Sequence, residues 1–182
     1  MLLDLGSVVG DNVNFFGEQL GCKIFVEDLT KDIDQHVRTD TVGAMPAFLA
    51  ERFPQETESF DGIICWDVFD YLEKPAVQAL AAQLVRLLRP EGLLLAFFNH
   101  TEAVTQAPPT YTRHVVVDPR TLEHRSYAAS RGKQKPLVNR DLQRLFAPLV
   151  ITDQFLLKTN VREVIFRKPA AAAGDSPESK PQ

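Results

Sequence analysis

The stretch that decides the fold is LDLGSVVGDNV, residues 3–13. It continues an apolar run that starts at Met1, passes through Gly6 and leads into apolar residues at helical spacing. Gly21 then stands where the C-terminus of a helix favours a left-handed residue. The chain is therefore predicted to open with a strand, a glycine turn and a helix.

The alternation of strand and helix patterns continues to about residue 98. Residues 22–26 and 60–66 are apolar runs of strand length, and residues 74–88 carry apolar side chains at the spacing of an amphipathic helix. Residues 93–98 are apolar throughout, as expected of a parallel strand that is covered on both faces. This order predicts an α/β fold built on a mostly parallel sheet.

The segment between the second run and residue 60 is the least informative. A proline at position 46 indicates the first turn of a short helix over residues 46–53. A third strand is expected near His36 to Val42, between the second predicted strand and this helix.

Beyond Asn99 the sequence predicts antiparallel strand pairs instead of alternating strands and helices. Residues 113–117 and 122–127 predict a hairpin, and Asn139 is the expected cap of a helix that runs to residue 146. Two last strands are predicted at residues 150–157 and 163–167.

Composition excludes several classes of protein. The 182 residues suit one domain, and the net charge of −4 is not that of a typical nucleic-acid binder. No apolar run approaches the roughly 20 residues of a membrane helix, and the N-terminus has no basic segment of a signal peptide. Cys22 and Cys65 form no disulfide or metal pattern. We expect a reduced, cytoplasmic protein without a metal site.

Four motifs together carry a resemblance to a known family: residues 3–13 quoted above, FVEDL at 25–29, FDGIICWDVFDYL at 60–72 and LVRLLRPEGLLLAFF at 84–98. The chain resembles the class I S-adenosylmethionine-dependent methyltransferases. The resemblance implies a three-layer, Rossmann-like fold with an antiparallel C-terminal hairpin. It also implies one domain over residues 1–168, with a substrate-cap insertion at 101–138. The composition of residues 169–182, four alanines followed by small and polar residues, predicts a disordered tail.

The resemblance implies that S-adenosylmethionine binds outside the carboxyl ends of the strands, where the winding of such sheets reverses. Backbone N–H groups of Gly6 and Gly10 would approach the carboxylate of the cofactor. Asp4 would fix the turn or meet the cofactor's amino group. An ordinary strand-to-helix turn with a surface acid is the alternative.

An acid at the end of the second strand is expected to accept hydrogen bonds from the ribose. Asp28 is the favoured residue, and Glu27 replaces it if the register is one residue off. A solvated acidic cluster is the alternative explanation.

Candidate groups for substrate and chemistry follow the later strands. Trp66 would pack on the cofactor or belong to the core, and Asp67 would lie in the cleft or cap the next turn. Tyr71 is a candidate for positioning the substrate. His100 is a candidate base or a solvated loop residue.

The sequence departs from the family pattern in two places. Val8 stands where the middle glycine of the turn is usual, and its β-branched side chain restricts the backbone there. The chain also starts directly at the first strand, without the helix that usually precedes it. These departures motivate the alternative of a degenerate member that binds a ligand or partner without chemistry.

A run of basic residues between positions 113 and 144 is the last feature. It suits an anionic substrate or RNA, or is a solvated charged cap, and it lacks interleaved aromatic residues for base stacking. A nicotinamide-dependent oxidoreductase is a further alternative, but its Gly-x-Gly-x-x-Gly pattern is absent. We expect a small-molecule acceptor and no nucleic acid.

Overall fold

The computed structural model describes residues 1–101 and 108–170, and its centre is a six-stranded sheet in the order β2-β1-β3-β4-β8-β7. A second sheet contains β5 and β6. The strands are β1 (Leu2–Asp4), β2 (Ile24–Val26), β3 (Phe60–Ile64), β4 (Leu88–Asn99), β5 (Thr110–Asp118), β6 (Thr121–Ala128), β7 (Val150–Leu156) and β8 (Val161–Arg167).

In the described ranges five α-helices connect the strands, and short π and 3-10 segments extend some of them. The helices are α1 (Gly10–Val13), α2 (Leu29–Arg38), α3 (Met45–Glu51), α4 (Lys74–Leu87) and α5 (Asn139–Leu145). A π-helical segment, Asn14–Gln19, continues α1, and 3-10 turns lie at Val42–Ala44 and Val68–Tyr71.

The first four strands of the large sheet are parallel, and β8 and β7 add an antiparallel edge. The predicted α/β class, with its antiparallel C-terminal hairpin, is thereby confirmed. From β1 the chain winds first to β2 and then to the opposite side at β3. This reversal places the carboxyl ends of β1 and β3 side by side at the edge where such sheets bind ligands.

Two hydrophobic clusters lie on opposite faces of the large sheet, because successive side chains of a strand point to opposite faces. The larger cluster takes Leu3, Ile63 and Leu94 from the sheet, and it includes the buried stripe of α4. The smaller cluster centres on Ile64, Trp66 and Phe97.

The β5–β6 hairpin packs against the carboxyl-end side of the large sheet. Tyr111 and Val115 of β5 are fully buried, and Tyr71 Oη donates to the carbonyl oxygen of Thr110 at 2.7 Å. This hairpin was predicted, and its position next to the glycine turn decides what the candidate site looks like.

The expected strand near residues 36–42 is wrong. Leu29, Ile33 and Val37 repeat every four residues, and their shared face packs into the core, so residues 36–38 are the end of α2 instead. A turn follows at residues 39–40, and residue 42 begins a 3-10 segment. Two other boundaries moved: β4 starts five residues before the predicted position 93, and Asn139 is the first residue of α5 rather than its cap.

Two predicted features fall wholly or partly outside the described residues: most of the tail from position 169, and residues 102–107 of the substrate-cap insertion. Within the described ranges, no helix has the length and apolarity needed to cross a membrane.

Candidate functional site

The carboxyl end of β1 is organised by Asp4. Its Oδ1 atom accepts the backbone N–H of Gly6 at 2.8 Å and the indole N–H of Trp66 at 2.7 Å. Burial raises the pKa of the Asp4 carboxyl to about 6, against the opposite effect of these two hydrogen bonds. Asp4 therefore fixes the glycine turn, which is one of the two roles expected of it.

Trp66 lies directly against the glycine turn. A Cβ atom placed on Gly6 would be 2.5 Å from Cδ1 and 2.8 Å from Nε1 of the indole. Because no side chain fits in that space, glycine at position 6 is required by the contact with Trp66. The backbone of Trp66 has a φ of 48°, a conformation that bulky side chains rarely adopt.

His114 of β5 covers the other face of the indole. The two rings are stacked, with centroids 4.9 Å apart and planes within 4° of each other. Nε2 of His114 lies 3.3 Å from Oδ1 of Asp67, while the buried Nδ1 atom has no partner among the described residues. His114 was not predicted to be part of the site, since nothing in the local pattern of β5 distinguishes it.

A buried charged cluster continues from this pair. Lys133 Nζ donates to Asp67 and to Asp70, at 3.0 Å in both cases. Burial raises the pKa of Asp70 to about 6, although Lys133 acts in the opposite direction. Burial also opposes ionisation of Asp67, but His114 and Lys133 outweigh it and lower its pKa. Asp67 is thus held as a carboxylate beside the glycine turn.

The side chain of Asn12 ties β5 to the helix that follows the glycine turn. Its Nδ2 donates to the carbonyl oxygen of His114 at 2.9 Å, and its Oδ1 accepts the backbone N–H of Val116 at 2.7 Å. Asn12 is only 2% exposed, so it joins the two elements as a backbone pair would. No sequence pattern marks Asn12, because it lies off the apolar stripe of the predicted helix, which contains Val9 and Val13.

A second set of contacts lies over the predicted ribose acid. Asp28 Oδ1 accepts a hydrogen bond from Thr30 Oγ1 at 2.5 Å, and Thr30 lies 3.1 Å from the hydroxyl of Tyr127. Glu27, the alternative ribose acid, instead forms an ion pair with Arg52 at 2.9 Å. The structure thus brings Asp28, rather than Glu27, to the hairpin side.

Side chains therefore fill the space between the glycine turn and Asp28. Trp66 covers Gly6, and Arg113 donates to Ser7 Oγ at 3.2 Å while stacking over Tyr127 at 5.0 Å. S-adenosylmethionine does not fit into this arrangement unless these side chains move.

Val8 is not the group that fills this space. Its side chain is 59% exposed, and the contacts over Gly6 come from Trp66. Gly10 is open, since a Cβ at this position would meet nothing within 4 Å.

Of the two other predicted chemistry residues, Tyr71 and His100, Tyr71 lies against the Asp67 cluster, with Lys133 Nζ 5.4 Å from its ring centroid. Tyr71 is 1% exposed and uses its hydroxyl on the backbone of Thr110, so it anchors the hairpin. His100 is exposed, and the bond described for it is a backbone one, from its N–H to the carbonyl of Asn160. Their proposed catalytic roles remain predictions.

A cavity of about 740 Å³ opens beside this cluster, between the start of α4 and α5. Asp70 belongs both to its wall and to the ion pair with Lys133. Apolar side chains such as Phe69, Leu72 and Leu145 line the rest of it together with an equal number of polar and charged ones.

The basic run between 113 and 144 is largely used in local contacts. Lys133, Arg125, Arg131 and Arg144 form ion pairs with carboxylates in the described ranges. The described residues also contain no group of three or more His, Cys, Asp or Glu side chains that could hold a metal ion.

Comparison with known proteins places these features in a family context. A family model described as a methyltransferase domain matches residues 2–92, which is half of the chain. No curated protein sequence matches.

Solved structures share the fold at low identity. A protein from Pyrococcus horikoshii OT3, PH0226, is 15% identical, with a TM-score of 0.55 over 92% of this chain and 81% of that one. A 1,6-didemethyltoxoflavin-N1-methyltransferase from Burkholderia thailandensis, solved with S-adenosylhomocysteine, is 16% identical, with a TM-score of 0.51 over 92% and 70%. The [4+2]-cyclase SpnF is 12% identical, with a TM-score of 0.54 over 93% and 74%. Since a cyclase shares the architecture, the fold alone does not fix the chemistry.

Proposed function

We propose that this chain, because it belongs to the methyltransferase domain family, transfers a methyl group from S-adenosylmethionine to a small-molecule acceptor. One observation carries the proposal. The matched residues 2–92 contain the glycine turn, Asp28 and Asp67, and these follow neighbouring parallel strands at the edge where such sheets bind ligands.

The cofactor supplies a methyl group that is already activated, so the protein's main contribution is to hold the reacting groups in line. Gly10 and Asp28 are the residues proposed to hold the cofactor. Gly6, whose N–H already donates to Asp4 Oδ1, is proposed to leave room for its approach, and Asp4 to keep the turn in shape. In the described arrangement Trp66 and the hairpin cover this place, so the proposal requires that they move.

An acceptor that arrives protonated also needs a group to take its proton. His114 suits this role better than His100, because Asp67 orients its Nε2 atom and leaves Nδ1 without a partner in the described ranges. His100 is exposed, with no such orienting carboxylate described beside it.

The 740 Å³ cavity supports a small acceptor. Its volume lies within the roughly 300–1,000 Å³ typical of small-molecule sites, and its wall combines apolar side chains with polar and charged ones. Asp70 connects it to Asp67 through Lys133. The wall of the cavity is thereby linked through two ion pairs to the carboxylate that orients His114.

Calorimetric titration with S-adenosylmethionine, S-adenosylhomocysteine and NAD⁺ tests the cofactor. We expect binding of the first two only, and a ligand at 100 times its Kd should stabilise the fold by about 2.7 kcal/mol. Asp28→Ala should weaken binding, whereas Asp153→Ala, an exposed acid on the far edge strand β7, should not. Equal effects of the two variants would contradict the role of Asp28.

A methyl-labelled cofactor incubated with a cell extract tests the acceptor. The label should leave S-adenosylmethionine and appear in a different small molecule, separated from the unreacted cofactor by chromatography, because a cavity of this volume admits an acceptor of that class. Label found only in protein or nucleic acid would contradict a small acceptor.

The second candidate is a degenerate member that binds a partner without chemistry. The filled space over Gly6 and Asp28 favours it. If none of the three titrated ligands binds the wild-type chain, this second candidate replaces the methyltransferase proposal.

A further inference from the structure

We propose that Trp66 is a gate: its indole closes the glycine turn, and a nucleoside cofactor reaches Gly6 only after the indole has moved. This inference rests on the proposed function, since it concerns access to the same site. It assigns to Trp66 a role other than packing on the cofactor or filling the core.

The first support is that the indole occupies the open side of Gly6 and also uses the carboxylate oxygen of Asp4, the two places where a ligand could contact the turn. Its Cδ1 and Nε1 atoms lie where a group approaching Gly6 would be, and its N–H uses Asp4 Oδ1. A ligand and the indole therefore compete for one place.

The second support is the backbone of Trp66. Its φ of 48° is disfavoured for a bulky residue, and such a conformation persists only where the surroundings hold it. Here the surroundings are the Asp4 hydrogen bond, the stacked His114 and the edge of Phe97, whose ring centroid is 5.8 Å from that of Trp66. Loss of these contacts would let the backbone relax.

The third support is that His114, the ring stacked on the indole, belongs to a single element, β5. His114 is held in turn by Asp67 and, through its carbonyl oxygen, by Asn12. A shift of β5 thus removes the stacked partner, opens the turn and exposes the imidazole face that the indole now covers.

Trp66 is the only tryptophan among the 182 residues, so fluorescence excited at the long-wavelength edge of the indole band, where the three tyrosines absorb little, reports on the gate. We expect saturating S-adenosylhomocysteine to shift the emission of the wild-type protein to longer wavelength and to increase quenching by acrylamide. Both changes follow when a buried indole moves into water.

Two variants separate closure from the hydrogen bond. Trp66→Gly opens the space and suits the positive φ, so it should bind S-adenosylhomocysteine about tenfold more tightly or better, as expected when a closed state is removed. Trp66→Phe keeps a ring over Gly6 but loses the hydrogen bond to Asp4 that helps to hold it there, so its affinity should rise by less than that of Trp66→Gly.

The outcomes distinguish the gate from the proposed function. Wild-type binding with unchanged emission, or a folded Trp66→Gly variant that binds no more tightly, overturns the gate and leaves the methyltransferase proposal standing. If Trp66→Gly binds and the wild type does not, the gate is supported and the proposed function of the natural chain fails.

If neither the wild type nor a folded Trp66→Gly variant binds, both proposals fail. Circular dichroism checks the fold of the variant. Should Trp66→Gly be unfolded, the wild-type emission decides: a shift on binding supports the gate, and an unchanged emission or the absence of binding overturns it.

Discussion

The indole N–H of Trp66 and the backbone N–H of Gly6 share one acceptor, Oδ1 of Asp4. One buried carboxylate therefore fixes the glycine turn and holds the side chain that covers it. The shape of the turn and its accessibility to a ligand are therefore coupled through Asp4.

The ionisation of Asp4 should make stability depend on pH. Its pKa is about 6 in the folded chain and near 3.8 when unfolded, so the folded state binds the proton more tightly. The resulting stabilisation is complete below about pH 4 and is lost as the pH rises through 6. Asp4→Asn should remove this dependence, and the variant should gain about 2–3 kcal/mol relative to the wild type between pH 4 and 7.

Urea unfolding of both proteins at several pH values measures the difference. Asp70, whose pKa is also about 6, contributes the same trend to both and cancels in the comparison. A constant difference between the two proteins from pH 4 to 7 would show that Asp4 titrates normally.

Asn12 should contribute more to stability than its size suggests. Asn12→Ala leaves the carbonyl of His114 and the N–H of Val116 without their partner, at a cost of about 1–3 kcal/mol for a buried unpaired group. Asn14→Ala, an exposed position two residues on, should change the free energy of unfolding by less than about 0.5 kcal/mol. Urea unfolding followed by circular dichroism checks both, and equal costs would argue against the tie between helix and hairpin.

The parts of this molecule that the sequence predicted are those decided by near neighbours along the chain. The glycine turn, the helix at 74–87 and the two hairpins follow from local apolar spacing and turn residues. The helix that replaces the expected strand near 36–42 is also visible in the local sequence, because the four-residue repeat from Leu29 to Val37 indicates a helix.

Local sequence patterns do not predict that Trp66 and the β5–β6 hairpin cover the site. The bond from Trp66 to Asp4 joins residues 62 positions apart, and the bond from Asn12 to His114 joins residues 102 apart. No local pattern marks either pair, since both depend on where the hairpin packs against the sheet. The sequence predicts that Asp4, Gly6 and Asp67 lie at the carboxyl ends of the strands, and they do. That Trp66 and His114 cover this edge is seen only in the structure.

Lys133 should stabilise the fold through Asp67 and Asp70. Lys133→Met keeps the apolar stem but leaves two buried carboxylates without their cation, which typically costs about 3–5 kcal/mol. The cost should shrink below pH 6, because Asp70 then takes up a proton and needs no counter-charge. Urea unfolding at pH 7.5 and pH 5 measures this change.

Lys135→Met is the matched control, because Lys135 is exposed and no ion pair is described for it. Its cost should be near zero at both pH values. A cost of Lys133→Met that is just as large at pH 5 would contradict the assignment of a titrating Asp70 to this cluster.

Val8→Gly should not open the site. The side chain of Val8 is 59% exposed, and the group that lies against Gly6 is Trp66, so removal of the valine clears none of the covered space. We expect the affinity for S-adenosylhomocysteine to change by less than about twofold, far less than the effect of Trp66→Gly. The stability should fall by about 0.5–1 kcal/mol, because glycine gives the unfolded chain more freedom. Calorimetric titration and urea unfolding measure the two effects. A tenfold gain in affinity would instead show that the β-branched residue in the turn, and not the indole, limits access.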